Sequence, residues 1–359
     1  MSLAPASSPG QRIRVIIADD SAVVRGLMRR WLEADPRIDL VCLCADGAQA
    51  VAEAAARKPD IMLLDVEMPK MDGLAALPEL RRAAPDMRII MASALTAKGA
   101  NTTIRALSLG ATDYIAKPEA SGLSGAEAYR KELIEKIVAL GVKRAPAVPG
   151  RAPRYSLRQP APRHIGKPAA LVIASSTGGP AALHAFLQPI VRRIDAPILI
   201  VQHMPATFTS FFAVKLGEQV GKPCREATDG HVLKNGDLLL APGDFHMRIA
   251  KAANGNTIKL DKSEPVNFCR PAADPLFETA AAAWGNKVLA VVLTGMGSDG
   301  KNGAGRVVEA GGRVIVQDEA SSVVWGMPGA VATAGYAEAV KPLTELSSLT
   351  LSMMNGDAA

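Results

Sequence analysis

Two sets of side chains in this chain of 359 residues have the types and spacing of reactive groups. The first is a row of oxygens, Asp19, Asp20, Asp65 and Ser93, with Lys117 as the accompanying cation. Gathered carboxylates repel one another unless a hard divalent cation joins them, and oxygen-only ligation suits Mg²⁺. With Asp19 and Asp20 on the metal, Asp65 is left to attack a phosphoryl group in line. Lys117 then offsets charge on the equatorial oxygens, and Ser93 bonds the new phosphate. Any single acid at a strand end also reads as a helix cap; all these positions agreeing point to chemistry instead. The second set is Ser176, His203 and Asp299, a nucleophile, a base and an orienting acid suited to acyl transfer. Ser176 lies in Ala174-Ser175-Ser176-Thr177-Gly178, a G-x-S-x-G elbow with Ala174 in the place of the first glycine. Ser175 competes with it as nucleophile, and His246 is the reserve base.

Elements must bring these residues together. Short apolar runs at Arg12 to Ala18, Ile38 to Ala45, Asp60 to Asp65, Arg88 to Ser93 and Asp113 to Ala116 predict buried strands. Amphipathic periodicity predicts helices at Ser21 to Ala34, Gly47 to Arg57, Gly73 to Ala83, Lys98 to Leu109 and Gly125 to Leu140. Five βα units make a doubly wound parallel sheet, whose strand ends share one edge with all five reactive residues. Further on, strands are expected at Ala170 to Ala174, Pro197 to Gln202, Gly236 to Ala241, Thr257 to Leu260, Lys287 to Thr294 and Gly312 to Val316. Helices are expected at Gly179 to Val191, Thr207 to Val220, Pro271 to Ala283 and Gly300 to Ala310. This half is α/β as well, with a less regular middle that leaves room for an antiparallel ribbon. Ser176, His203 and Asp299 each follow a different strand.

Between Gly141 and Pro168 stand seven basic residues, no acid and six prolines. Proline denies this stretch helix and ladder, so it reads as an extended basic linker, and without it the folded parts are near neutral. The expected organisation is a disordered 1–11, a first domain over 12–140, the linker over 141–168, a second domain over 169–350 and a tail over 351–359. Hydrophobic residues make up 48% and aromatics only 4%. The first figure excludes a mostly unfolded chain, and the second excludes base stacking as the main binding energy. No apolar run reaches the roughly 20 residues of a membrane span, and no basic-then-apolar leader precedes Arg12. A cytoplasmic protein without membrane insertion is expected. Cys42, Cys44, Cys224 and Cys269 lack paired metal spacing and read as reduced filler.

Gly295-Met296-Gly297-Ser298-Asp299-Gly300 fits the G-x-G-x-x-G of dinucleotide sites, with Asp318 and Glu319 near the ribose-binding distance. An NAD-binding oxidoreductase is therefore one alternative, although the fingerprint normally opens the first βα unit of its domain. The glycines could equally shape a loop that aims Asp299 and the Met296 N–H. A phosphorylation-controlled DNA-binding regulator is the other alternative; it requires a recognition helix rich in Arg or Lys, and none is present in the second half.

The stretches IIADDS from Ile16, LDVEMPKMDG from Leu64, Met91 to Ser93 and YIAKP from Tyr114 resemble a response-regulator receiver domain. By that resemblance Asp65 is the phosphoacceptor, and Asp19, Asp20, Asp65 and the main-chain carbonyl of Glu67 hold Mg²⁺. Ser93 and Tyr114 form the switch pair, and Lys117 contacts the phosphate. IASSTGGP from Ile173, VQHMP from Val201, LAPGDFHM from Leu240, LTGMGSDG from Leu293 and QDEASSVVWGMPG from Gln317 resemble the methylesterase domain of the CheB family. That resemblance implies a flavodoxin-like receiver followed by a Rossmann-like esterase. It makes Ser176 the nucleophile, His203 the base and Asp299 its orienter, with Thr177 and the Met296 main chain on the oxyanion and no cofactor for hydrolysis. It implies a phosphorylation-activated protein-glutamate methylesterase, with glutaminase activity, acting on methyl-accepting chemotaxis receptors and phosphorylated by a chemotaxis histidine kinase. Phosphate on Asp65 is then expected to relieve masking of the Ser176 cleft by the receiver. Nucleic acid is not among the implied partners.

Overall fold

The computed structural model describes residues 12–117, 123–142, 155–159 and 166–356. The chain divides into two compact units, 1–146 and 147–359. Residues 1–11 and most of the 141–168 stretch lie outside the described residues.

In the first unit β1 (Ile13–Ala18), β2 (Ile38–Cys44), β3 (Ile61–Asp65), β4 (Arg88–Ala94) and β5 (Asp113–Lys117) form one parallel sheet in the order β2-β1-β3-β4-β5. Helices α1 (Ala22–Glu33), α2 (Gly47–Arg57), α3 (Gly73–Ala83), α4 (Ala97–Ser108) and α5 (Leu123–Gly141) complete it. The strands are near-continuous apolar runs because both faces are covered: Ile16, Ile17, Met62, Leu64, Ile89 and Ile90 are all fully buried. Four of the helices start on a side-chain cap. Ser21, Asp46, Asp72 and Thr96 accept from the N–H groups of Val24, Gln49, Ala75 and Gly99, offsetting donors that a helix start leaves open. The strand order reverses between β1 and β3, so the crevice for a ligand opens beyond Ala18 and Asp65.

The second unit carries a seven-stranded parallel sheet, built from β6 (Ala170–Ser175), β7 (Ile198–Gln202), β8 (Arg225–Glu226), β9 (Leu238–Leu240), β12 (Val288–Val292), β13 (Arg313–Gln317) and β14 (Ala339–Lys341). Its order is β14-β13-β12-β6-β7-β9-β8. Here the order reverses at β6, whose neighbours are β12 and β7. The accompanying helices are α6 (Gly179–Leu187), α7 (Ala206–Val220), α8 (Ala273–Trp284), α9 (Lys301–Glu309), α10 (Met327–Thr333) and α11 (Leu343–Asn355). The antiparallel ribbon is real: β10 (His246–Ala252) pairs with β11 (Gly255–Asp261), whereas the residue pattern predicts a strand only for the second.

The structure corrects several expectations. His246, the reserve base, is fully buried at the start of β10, where Met247 and Ile249 are buried as well. Helix α11 runs past position 350, because Leu346, Leu351, Met353 and Met354 pack inward. Part of the stretch read as a spacer is attached to the second unit. Tyr155 packs its ring 5.8 Å from that of Trp325, and the Arg158 N–H donates to the Ala337 carbonyl at 2.9 Å.

Candidate functional site

The receiver-like unit brings its acids together at the crevice. Asp19 follows β1, Asp65 ends β3, and oxygens of Asp19, Asp20 and Asp65 lie within 4.8 Å of one another. Asp19 and Asp65 are buried and Asp20 is exposed. Lys117, the last residue of β5, reaches both buried acids, with Nζ 2.7 Å from Asp19 Oδ2 and 2.8 Å from Asp65 Oδ2. Burial pushes the Asp65 carboxyl above the usual carboxylate range, and the Lys117 ammonium only partly opposes it. The donor set is oxygen alone, which fits a hard divalent cation and not a soft one.

Ser93 and Tyr114 share one face of the sheet, since β4 and β5 register Met91 with Tyr114 and Ser93 with Ala116. Ser93 is buried, its Oγ donating to the Ala94 carbonyl at 3.3 Å. Tyr114 is buried too, with Lys136 Nζ 5.1 Å from its ring centre, and burial pushes its phenol well above the ordinary value. The Glu67 side chain turns to the surface, where it pairs with Lys98 at 2.7 Å.

In the second unit Ser176, His203 and the Gly295 loop meet where the strand order reverses. Ser175 on β6 is the register partner of Gln202 on β7, so Ser176 and His203 are the next residues of adjacent strands. On the other side the Ser176 N–H donates to the Thr294 carbonyl at 3.0 Å. A side chain at Gly295 would come within 2.9 Å of the Ser176 Cβ, which explains the glycine there. Gly178 has φ of 74°, a left-handed conformation that turns the chain into α6, and a Cβ there would strike Val323 at 2.5 Å. Ala174, in place of a first glycine, is fully buried within β6 and packs in the core, so its methyl group leaves the turn unobstructed.

The two serines have different fates. Ser175 Oγ donates to Gln202 Oε1 at 2.7 Å inside the fold, and that amide also donates to the Ser176 carbonyl at 3.0 Å. Ser176 is partly exposed, and among the described residues its hydroxyl has no hydrogen-bond partner. The thiol-sized neighbour of His203 was not anticipated: Cys269, read as filler, places Sγ 3.4 Å from His203 Nδ1. The other ring nitrogen, Nε2, lies 2.7 Å from Asp299 Oδ2. A carboxylate only accepts, so Nε2 carries the proton and Nδ1 presents the lone pair.

Asp299, just before α9, is buried with its carboxylate against the start of α8. The N–H groups of Ala273 and Asp274 donate to its two oxygens at 2.6 and 3.1 Å, and Asn267 Nδ2 lies 3.3 Å from Oδ1. Burial opposes its ionisation, but His203 and these helix-start donors outweigh that and hold the carboxyl below the usual range. For His203, burial works against a charged ring; the Cys269 sulfur and the Asp299 carboxylate outweigh it, so the ring keeps its proton to higher pH than a free imidazole.

Thr177 is buried beside Ser176, and its carbonyl accepts from Thr294 Oγ1 at 2.9 Å. Among the described residues the N–H groups of Thr177 and Met296 have no backbone partner, as donors kept for an incoming oxyanion would require. His246 is spent on structure: Nδ1 accepts from the Ala272 N–H and Nε2 donates to the Glu264 carbonyl, so it is not a base in reserve. The G-x-G-x-x-G loop serves to deliver Asp299 to α8 and His203, while Asp318 accepts from Ser321 in a local turn. Sequence reasoning missed Asn267, Cys269 and the α8 start, all of which reach the site only through chain packing.

Known proteins match this chain in both of its units. The family model described as CheB methylesterase matches residues 171–349, and that described as response regulator receiver domain matches 15–123. A Caulobacter vibrioides protein named protein-glutamate methylesterase/protein-glutamine glutaminase 2 is 52% identical, covering 93% of this chain and 96% of its own. A Maricaulis maris protein of the same activity name is 44% identical, covering 96% of each. The Thermotoga maritima CheB methylesterase catalytic domain is 41% identical over 51% of this chain and 98% of that one, with a TM-score of 0.49. With a relative this similar along nearly its whole length, the chain belongs to the CheB methylesterase family and carries a response regulator receiver domain.

Proposed function

We propose that the chain is a phosphorylation-activated protein-glutamate methylesterase that hydrolyses γ-methyl glutamyl esters of chemotaxis receptors and deamidates particular receptor glutamines. The observation that carries this reading is the buried His203–Asp299 pair, 2.7 Å apart, at the same sheet edge as a serine whose hydroxyl is free to react. In this account Ser176 Oγ attacks the ester carbonyl carbon while His203 Nδ1 takes the hydroxyl proton and Asp299 stabilises the imidazolium. The oxyanion is met by Thr177 and the Met296 N–H. Collapse breaks the ester C–O bond, and the imidazolium proton goes to the departing methoxide, which leaves as methanol. Water, deprotonated by the same ring, then frees Ser176 and leaves a glutamate. Glutamine follows the same course with ammonia as the leaving group.

In the other domain, Asp65 is the proposed phosphoacceptor, with Asp19, Asp20, Asp65 and the Glu67 main-chain carbonyl as the residues that would hold Mg²⁺. The cation would offset the charge of the incoming phosphoryl group. Lys117 contacts the phosphate, Ser93 and Tyr114 form the switch pair, and a chemotaxis histidine kinase is the donor. The expected working compartment is the cytoplasm; no helix among the described residues is long and apolar enough to cross a membrane. Methanol release from methyl-labelled receptor membranes tests the reading. Ser176→Ala should abolish it, and undiminished release would return the nucleophile to Ser175 or discard the triad.

A further inference from the structure

Both ring nitrogens of His203 are already engaged. Nε2 faces Asp299 at 2.7 Å, and Nδ1 lies 3.4 Å from Cys269 Sγ. With the proton on Nε2, Nδ1 has a single lone pair to offer a donor. In the proposed chemistry that lone pair takes the Ser176 proton. Among the described residues, however, the Ser176 hydroxyl has no hydrogen-bond partner and the thiol occupies the lone pair. A tight turn between β11 and α8 puts the sulfur there. The Val266 N–H donates to the Cys269 carbonyl at 3.1 Å, and the Cys269 N–H donates back at 2.9 Å. The two residues between them have φ of 51° and 64°, left-handed backbone that persists only where its surroundings fix it. One of them, Asn267, sets Nδ2 3.3 Å from Asp299 Oδ1 and 3.2 Å from Asp274 Oδ2, so a single turn carries one contact to the acid and another to the base. Cys44 and Cys224 are buried in the fold, whereas Cys269 is partly exposed.

From this we infer that Cys269 is a positioning residue that restrains the esterase: its S–H holds His203 Nδ1 in the resting chain, and Ser176 gains the base only by displacing the thiol. The inference rests on the methylesterase reading and deepens it, since it concerns the same base. A thiol is a weak donor, which suits a partner that must be given up in every turnover. No covalent step falls to Cys269; it yields the lone pair and keeps its own proton. When the ring is protonated the contact reverses, with Nδ1–H donating to the sulfur. Burial works against that charged ring, and the sulfur and the Asp299 carboxylate outweigh it, so both partners keep the proton on His203 to higher pH. Among the described residues the titratable groups that face the ring are Cys269 on one side and Asp299 on the other. Asp274 acts on Asp299 from behind, with Asn267 bonded to both acids.

The experiment follows kcat/KM against pH for methanol release from methyl-labelled receptor membranes by the full chain, by Cys269→Ala and by Cys269→Ser. Alanine leaves the backbone pair with Val266 in place and frees Nδ1. It should raise kcat/KM about fivefold on the plateau, the scale of one net hydrogen bond, and move the acid limb to lower pH, because activity needs the neutral ring. Serine keeps a donor for Nδ1 and should stay within about twofold of wild type. Should Cys269→Ala fail to fold by circular dichroism, Cys269→Val, which fills the space of the thiol without a donor, is held to the same two criteria. A rate that does not rise, or a limb that stays put, would make the thiol a packing group and overturn the inference, as would Cys269→Ser matching Cys269→Ala. Wild-type chain that releases no methanol at any pH would overturn the methylesterase reading and the inference with it, whereas an active wild type beside unmoved variants counts against the inference alone.

Discussion

The two sites in this chain are both built where the strand order of a parallel sheet reverses, yet they are held in opposite ways. At the receiver site three acids converge and Lys117 is the cation that reaches both buried ones, at 2.7 and 2.8 Å. Burial opposes the charged form of Asp65 and Lys117 only partly offsets it, so the site is short of positive charge, as the proposed acceptor with its cation would require. At the esterase site the acid is saturated: Asp299 meets His203, two N–H groups of α8 and Asn267. Among the described residues, what stays open there is the Ser176 hydroxyl and the N–H groups of Thr177 and Met296, where the proposed chemistry needs them. The difference separates a group kept responsive from a group kept fixed, in keeping with a switch in one domain and an enzyme in the other.

The largest effect should come from the reacting atom. Ser176→Ala is expected to lower kcat by about 10⁶, the scale seen when a triad serine is removed, with folding unchanged by circular dichroism. Next, Asp299→Asn should lower kcat by about 10⁴, through loss of the tautomer that leaves the lone pair on Nδ1. It should also move the pH profile. Activity needs the neutral ring, and Asp299 helps hold the His203 proton to higher pH, so the acid limb of kcat/KM should shift to lower pH in the variant. A limb that stays put would mean that another group titrates.

Asp65→Asn acts on the other site: radiolabel from a small phosphodonor should vanish, while basal methanol release stays within about twofold of wild type if the two sites are separate machines. Retained labelling at the same stoichiometry would refute the acceptor. The smallest effect is expected at the neighbouring serine. Ser175→Ala strands the buried Gln202 oxygen and should cost about 1–3 kcal/mol of stability, read from denaturant midpoints, while most esterase activity survives.

How much of this was legible in the sequence differs between the same two regions. In the receiver each reactive residue sits at the end of its own apolar run and the helices carry Ser, Asp or Thr caps, so local signals placed both the elements and Asp19, Asp65, Ser93 and Lys117. In the second unit the strand-end rule also found Ser176 and His203. What it could not reach was how Asp299 is held, because the start of α8 and the 266–269 turn approach it from residues some 25 to 32 positions away. Helix α11 escaped notice because Leu343–Asn355 is rich in Ser and Thr, residues that favour caps and turns over helix interiors, and packing decided the outcome. His246 misled for a related reason: its place inside rests on the bonds its ring makes with the Ala272 N–H and the Glu264 carbonyl, 26 and 18 residues along the chain.

The central claim is that phosphorylation at one site governs a serine esterase at the other. The most direct measurement is methanol release from methyl-labelled receptor membranes by the whole chain, with and without a small phosphodonor and Mg²⁺, beside the Ser176→Ala and Asp65→Asn variants. Release should rise with phosphodonor in the wild type, stay at the basal level in Asp65→Asn and be absent in Ser176→Ala. Release indifferent to phosphodonor, or persisting without Ser176, would contradict it.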